Sequence, residues 1–139
     1  MAKVFGYVTS RPFGDFIMPV PAQNTCLREY AANMKLQYVL PQLEHKFDEC
    51  YMQMWTTLRQ MSEGDILAMY SAEMIVYSPK AINILQNIVK SNIKAHFILE
   101  SQSIFTLDDI GSLMLTAKIR QKTIKKSTLL HRILDNVVS

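Results

Sequence analysis

Asp65-Ile66-Leu67-Ala68-Met69-Tyr70 is an unbroken apolar run of strand length that follows directly on the turn residues Glu63-Gly64. A strand with one wet face alternates polar and apolar side chains, whereas a strand covered on both faces reads as a continuous apolar stretch. The run therefore predicts a central strand of a parallel sheet with helices above and below it.

Working outward, Val4 to Thr9 is a β-prone run that stops at Ser10-Arg11-Pro12, with Gly14 close behind. Pro21 suits a first helical turn, and Leu27, Tyr30, Ala31 and Met34 then recur at helical spacing, predicting a helix over 21–35. Gln37 to Leu40 reads as a second strand. After the polar stretch Gln42 to Asp48, a helix over Glu49 to Met61 would bury Met52, Trp55, Leu58 and Met61. Beyond the central run, Pro79 opens a helix with Ile82, Leu85, Ile88 and Val89 inward. Lys94 to Leu99 is a fourth strand ending at Glu100.

Strands alternating with helices imply right-handed crossovers, hence an α/β fold with a four- or five-stranded, mainly parallel sheet and helices on both faces. Residues 1–104 form this sheet domain. Residues 105–139 read as a C-terminal helical arm that packs on the domain or on a partner chain. Asp108-Asp109 favour a helix start, Ile110, Leu113, Met114 and Ala117 repeat helically, and Leu130, Ile133, Leu134 and Val137 repeat again later.

The chain has 139 residues, 49% hydrophobic and 19% charged, which excludes a disordered or collagen-like polymer. No apolar run reaches the roughly 18 residues of a membrane span, and the N-terminus lacks a secretory core, so the expectation is a cytoplasmic protein without membrane contact. In that compartment Cys26 and Cys50 are reduced thiols. The net charge of +3 is unevenly placed. Residues 1–117 carry nine basic and eleven acidic side chains, while 118–139 carry six basic ones (Lys118, Arg120, Lys122, Lys125, Lys126, Arg132) against Asp135. Basic character confined to a tail argues against a nucleic-acid footprint spread over the fold.

Ligands of open parallel sheets collect outside the carboxyl ends of the strands. The first strand delivers Ser10 and Arg11 there, the third Ser71 and Glu73, and the fourth Glu100, with His96 expected on the same face as Glu100 by strand alternation. The Arg11 guanidinium is the natural anchor for a phosphate or carboxylate, unless it serves a surface salt bridge. Ser10 is a candidate nucleophile, although no adjacent base is visible. His96 suits general acid or base work, with Glu100 orienting it. Cys50, at the start of the second helix, would be favoured as a thiolate by the helix dipole, unless it is a small buried hydrophobe. No His, Cys and carboxylate spacing suits a metal, and no glycine-rich phosphate loop is present, so neither metal nor cofactor is expected.

The segments Gly6-Tyr7-Val8-Thr9-Ser10-Arg11-Pro12-Phe13-Gly14, Pro21-Ala22-Gln23-Asn24, Cys50-Tyr51-Met52 and Ala95-His96-Phe97-Ile98-Leu99-Glu100 resemble the bacterial sporadic carbohydrate cluster protein family over about residues 4–104. Members are encoded beside enzymes of unusual-sugar and surface-glycan biosynthesis. The resemblance implies a place in such a pathway and a site built from Ser10, Arg11, Gln23, Asn24, Cys50, Tyr51, His96 and Glu100; Ser71 is a candidate ligand contact on its strand-end position alone. The resemblance also implies a sugar or sugar-phosphate ligand and pathway enzymes as partners.

More distantly, Phe5-Gly6-Tyr7 and Glu63-Gly64-Asp65-Ile66-Leu67 are similar to the catalytic domains of serine recombinases, implying a resolvase-like or flavodoxin-like sheet. The recombinase chemistry does not carry over. That family places an arginine two positions after the tyrosine, where Thr9 stands, and an Asp-Arg-Leu-x-Arg segment after the third strand, where Ala72-Glu73-Met74-Ile75-Val76 stands. Those arginines stabilise the charge on a transferring phosphodiester. Three readings remain open at this stage. One is a sugar-pathway protein binding an anionic intermediate. Another is a recombinase relative, without those arginines, that binds DNA or protein through its basic arm. The third is a structural subunit. An apolar seam in the last helix points to a homodimer.

Overall fold

The computed structural model describes residues 2–10, 18–44 and 50–120. Arg11 with the rest of 11–17, residues 45–49, the basic positions from Lys122 on and the apolar repeat Leu130 to Val137 lie outside the described residues.

Five strands form one sheet: β1 (Lys3–Tyr7), β2 (Gln37–Val39), β3 (Ile66–Met69), β4 (Lys94–Phe97) and β5 (Gln102–Ile104). Their order is β2-β1-β3-β4-β5. β1, β2, β3 and β4 run parallel, with Tyr7 opposite Met69 and Met69 opposite Phe97, while β5 returns antiparallel beside β4. The Asp65–Tyr70 run does supply the middle strand, and all four residues of β3 are buried. The sequence pattern marks four of these five strands. β5 has only three residues, Gln-Ser-Ile, too short and too polar to announce itself.

Strand alternation sorts the core in two. Val4, Val8, Ile66 and Ala68 face α1 (Val20–Asn33), which buries Leu27 and Ala31 against them. Phe5, Tyr7, Leu67, Met69, Ala95 and Phe97 face the opposite layer. That layer contains α2 (Met52–Gln60), α3 (Ala81–Lys90) and a helix over 107–120, here α4, which contributes Ile110, Leu113 and Ala117. At about 25 cal/mol per Å² of apolar surface, this two-sided burial is the main force holding the fold.

Two helical stripes differ from expectation. α2 buries Met54 completely and leaves Met52 61% exposed, because the helix starts at Met52, three residues later than the polar-to-apolar transition suggests. In α3, Ile84 takes the inward place and Ile82 is half-exposed. Between β3 and α3 the segment Ala72–Val76, apolar but for Glu73, is buried, beginning as a single 3-10 turn, Ala72–Met74. One glycine has a steric duty: a Cβ at Gly6 would stand 2.5 Å from the Tyr38 hydroxyl, which crosses β1 to reach α1. Among the described residues no helix is long and apolar enough to cross a membrane.

Candidate binding site at the carboxyl ends of the strands

In this strand order the connections leave β1 and β3 in opposite directions, so the crevice beyond their carboxyl ends is the topological switch point. Three local constructions lie at the carboxyl ends of these strands. Each solves a hydrogen-bonding problem that the adjoining strand end creates.

The first surrounds the end of β1. Gln23, fully buried on α1, donates from Nε2 to the carbonyls of Thr9 (2.8 Å) and Met18 (2.7 Å) and accepts the Thr9 N–H at Oε1 (3.3 Å). One carboxamide thus ties together the two ends of the connection that contains Arg11. Ser10 follows immediately, and its Oγ is buried with no hydrogen-bond partner among the described residues. Buried hydroxyls are normally satisfied, and an exception calls for an explanation such as a ligand.

The second lies beneath β1 and α2. Glu44 is 1% exposed. Its carboxylate accepts the Tyr7 hydroxyl at 2.9 Å and the backbone N–H groups of Gln53 and Met54 at 3.1 and 3.2 Å. The positive end of α2 is therefore occupied by a carboxylate. Cys50, expected to hold that place as a thiolate, instead precedes the helix and donates its thiol to Glu44 at 4.0 Å. Tyr51 is buried at the N-cap position of α2. Nothing near Glu44 in sequence marks it, since it sits in a polar stretch eight residues before the helix that it caps.

The third closes the ends of β3 and β4. Glu100 accepts the Ser71 hydroxyl at 2.6 Å and the Ala72 N–H at 3.1 Å, and Ser71 Oγ in turn accepts the Glu73 N–H, capping the 3-10 turn. Glu73, almost wholly buried, pairs with Arg120 of α4 at 3.3 Å and accepts the Tyr77 hydroxyl at 3.4 Å. Both carboxylates are thus compensated internally, and the Ser71 hydroxyl is committed to the turn.

His96 does not join this cluster. β4 ends at Phe97, and the turn through Ser101 (φ 50°) carries Glu100 to the α4 side, so the alternation that would align the two holds only inside the strand. His96 remains on the α1 side, stacked on Tyr30 with ring centres 4.3 Å apart and planes 7° apart, and its Nδ1 shares a 2.7 Å hydrogen bond with Ser103. Asn24 also faces that side, accepting the Tyr38 hydroxyl at 2.6 Å. Burial, with the Arg28 guanidinium opposing it, pushes the Tyr38 phenol up to about 12, so the phenol stays a donor.

Burial, reinforced by the Lys94 charge, holds the His96 imidazole below its ordinary 6.5. The folded state thus resists a proton that the unfolded chain takes up near that pH. Stability is fully present above about pH 6.5 and is lost as pH falls below it, levelling off under the folded value. His96→Phe, which keeps a ring on Tyr30, should flatten this part of a melting temperature against pH curve. A curve unchanged by the substitution would remove the assignment.

With this geometry in view, two solved structures share the architecture. One is a resolvase family site-specific recombinase from Streptococcus pneumoniae, with TM-score 0.59 and 11% identity over 97% of this chain and 98% of that one. The other is the N-terminal catalytic domain of TP901-1 integrase, with TM-score 0.60 and 16% identity over 88% and 97%. The chain has the resolvase-like α/β fold. No protein-family description matches it, and no curated protein does.

Proposed function

We propose that this chain uses a resolvase-like fold to bind an anionic sugar intermediate at the switch point between β1 and β3, as a member of an unusual-sugar or surface-glycan pathway. The observation that carries the reading is the buried Ser10 hydroxyl, unsatisfied among the described residues, at the end of β1. Arg11, next in the chain, supplies the cation that such a ligand needs, and the Gln23 clamp holds the two ends of the intervening loop together. Because Glu73 and Glu100 are compensated by Arg120, Ser71 and Ala72, they present less uncompensated negative charge to an anion. The sugar class itself rests on the segments around Ser10, Gln23, Cys50 and His96 that resemble the carbohydrate cluster family.

A thermal-shift screen against phosphosugars, nucleotide sugars, 2-keto sugar acids and a short DNA duplex tests this at low and high salt. A ligand at 100 times its dissociation constant adds about 2.7 kcal/mol, several degrees at this size. The expected result is a salt-tolerant shift with one sugar class that is reduced in Ser10→Ala and abolished in Arg11→Ala, a charge-assisted pair being worth about 1.5–3 kcal/mol.

The second reading has its own support in the recombinase neighbours, whose likeness extends over most of the chain. On that reading a protein with Thr9 and Glu73 in place of the family's arginines binds DNA, or a protein, through its basic arm. A shift with the duplex alone that vanishes at high salt would establish it and overturn the sugar assignment.

A further inference from the structure

α1 packs chiefly over β1, β2 and β3, so the same sheet face continues past it as the flank of β4 and β5, with no helix over it among the described residues. A crevice of about 300 Å³ opens at that step. One wall is a single stripe of α1, from Cys26 through Glu29 and Tyr30 to Asn33, at the spacing that aligns side chains on one helix face. The other wall is His96 and Ile98, with Ser101 from the turn beyond β4. The volume is at the lower end of small-molecule sites.

The crevice lies on the far side of the sheet from Glu73 and Glu100, and it uses none of the groups around Ser10. Its polar side chains Glu29, Asn33 and Ser101 are exposed, and His96 is partly buried. Glu29, Asn33 and Ser101 make no side-chain hydrogen bond among the described residues, and Ser103 engages only Nδ1 of His96, so Nε2 has no partner there. The Tyr30 stack fixes the imidazole plane. Carboxylate, amide, imidazole and hydroxyl together offer mixed donors and acceptors around the one aliphatic surface of Ile98. Charge narrows the class of ligand. Glu29 in the lining and Lys94 on the adjoining strand place one charge of each sign beside the crevice, so neither an anion nor a cation meets a field of one sign.

We propose that this crevice between α1 and β4 is a second binding site, for a small neutral polyhydroxylated molecule held by Glu29, Asn33 and His96 Nε2 with its carbon skeleton against Ile98. Recognition is by hydrogen bonds to hydroxyl groups. The site is independent of the one at the switch point and stands or falls separately.

NMR of the histidine side chains in the full chain tests it. His96 is assigned by comparison with His96→Phe, and the probes are myo-inositol and D-glucose, with D-glucuronate and D-glucosamine as charged counterparts. The expected result is a saturable shift of the His96 imidazole with a neutral probe, retained in Ser10→Ala. Asn33→Ala, on an exposed helix surface where folding is secure, should weaken it by about tenfold, the equivalent of 1.4 kcal/mol. His96→Phe should weaken binding as read from Tyr30. The proposal is overturned if neither neutral probe gives a saturable shift, if a charged counterpart binds as well, or if Asn33→Ala and His96→Phe leave binding unchanged.

Discussion

Replacing Gln23 by glutamate, a change of one nitrogen for one oxygen, should cost this protein more stability than replacing it by leucine. Gln23 is completely buried and uses its NH₂ group as a double donor, to the carbonyls of Thr9 and Met18. A carboxylate has no proton to offer and would set negative charge against two carbonyl oxygens in a site closed to water. Gln23→Leu loses the same bonds without burying a charge, a loss of about 2–3 kcal/mol if each deserted carbonyl forfeits a typical net hydrogen bond. Gln23→Glu should exceed that at neutral pH, on the order of 4 kcal/mol or more, since an unpaired buried charge belongs to the most destabilising class of substitution.

The same variant has a distinctive pH signature. A carboxyl forced into that site has its pKa raised in the folded state above the unfolded value of about 4.3. The folded chain then binds more protons than the unfolded one, so stability is regained as pH falls through the raised value toward 4.3. Urea unfolding of Gln23→Glu at a series of pH values should show this recovery, and Gln23→Leu should not. If the two variants were equally destabilised and equally insensitive to pH, the double-donor role of Gln23 would be wrong. Because Gln23 joins Thr9 to Met18 on either side of the segment that contains Arg11, both variants should also weaken any ligand held by Ser10 and Arg11.

How much of this was legible from sequence depends on the range of the interaction. The continuous run Ile66–Met69 specifies a central strand because burial on both faces acts on each residue independently. Pro21 and the spacing of Leu27 and Ala31 place α1 for equally local reasons. The end of a strand is less local. Extending alternation from His96 to Glu100 runs past the end of β4 at Phe97 into the turn over 98–101, and the two residues, four apart, find partners in different elements. The partners of Glu100 and Glu73 come from Ser71 and Arg120, 29 and 47 positions away, and no periodicity encodes such pairings. The resemblance singles out Gln23, but its role as a backbone clamp depends on Thr9 and Met18 approaching it in space. Glu44 was not legible at all, because polar residues in a connection ordinarily face water.

Glu44 is also where the second large effect is expected. Its carboxylate joins three elements: β1 through the Tyr7 hydroxyl, α2 through the N–H groups of Gln53 and Met54, and the Cys50 thiol. Glu44→Ala deserts the first turn of α2, a capping loss of about 0.5–2 kcal/mol, and removes a charge-assisted bond to Tyr7 worth about 1.5–3 kcal/mol. Together these predict roughly 3–4 kcal/mol of destabilisation, or a melting temperature lower by more than ten degrees at this chain length. Glu44→Gln keeps one carbonyl oxygen for α2 but points an NH₂ group at donors, so it should fall between Glu44→Ala and the wild type. The Tyr7→Phe and Glu44→Ala pair separates the contributions. If the carboxylate works through Tyr7, the double variant should be less destabilised than the sum of the two single ones, whereas simple additivity would mean that Glu44 acts on α2 alone. Cys50 supplies a second readout, because its thiol loses the acceptor at 4.0 Å and the N-terminus of α2 loses its resident negative charge. In Glu44→Ala the thiol is released from that contact, and alkylation by iodoacetamide at neutral pH should run faster than in the wild type. Unchanged alkylation in a variant that is folded but destabilised would show that the carboxylate does not govern the thiol.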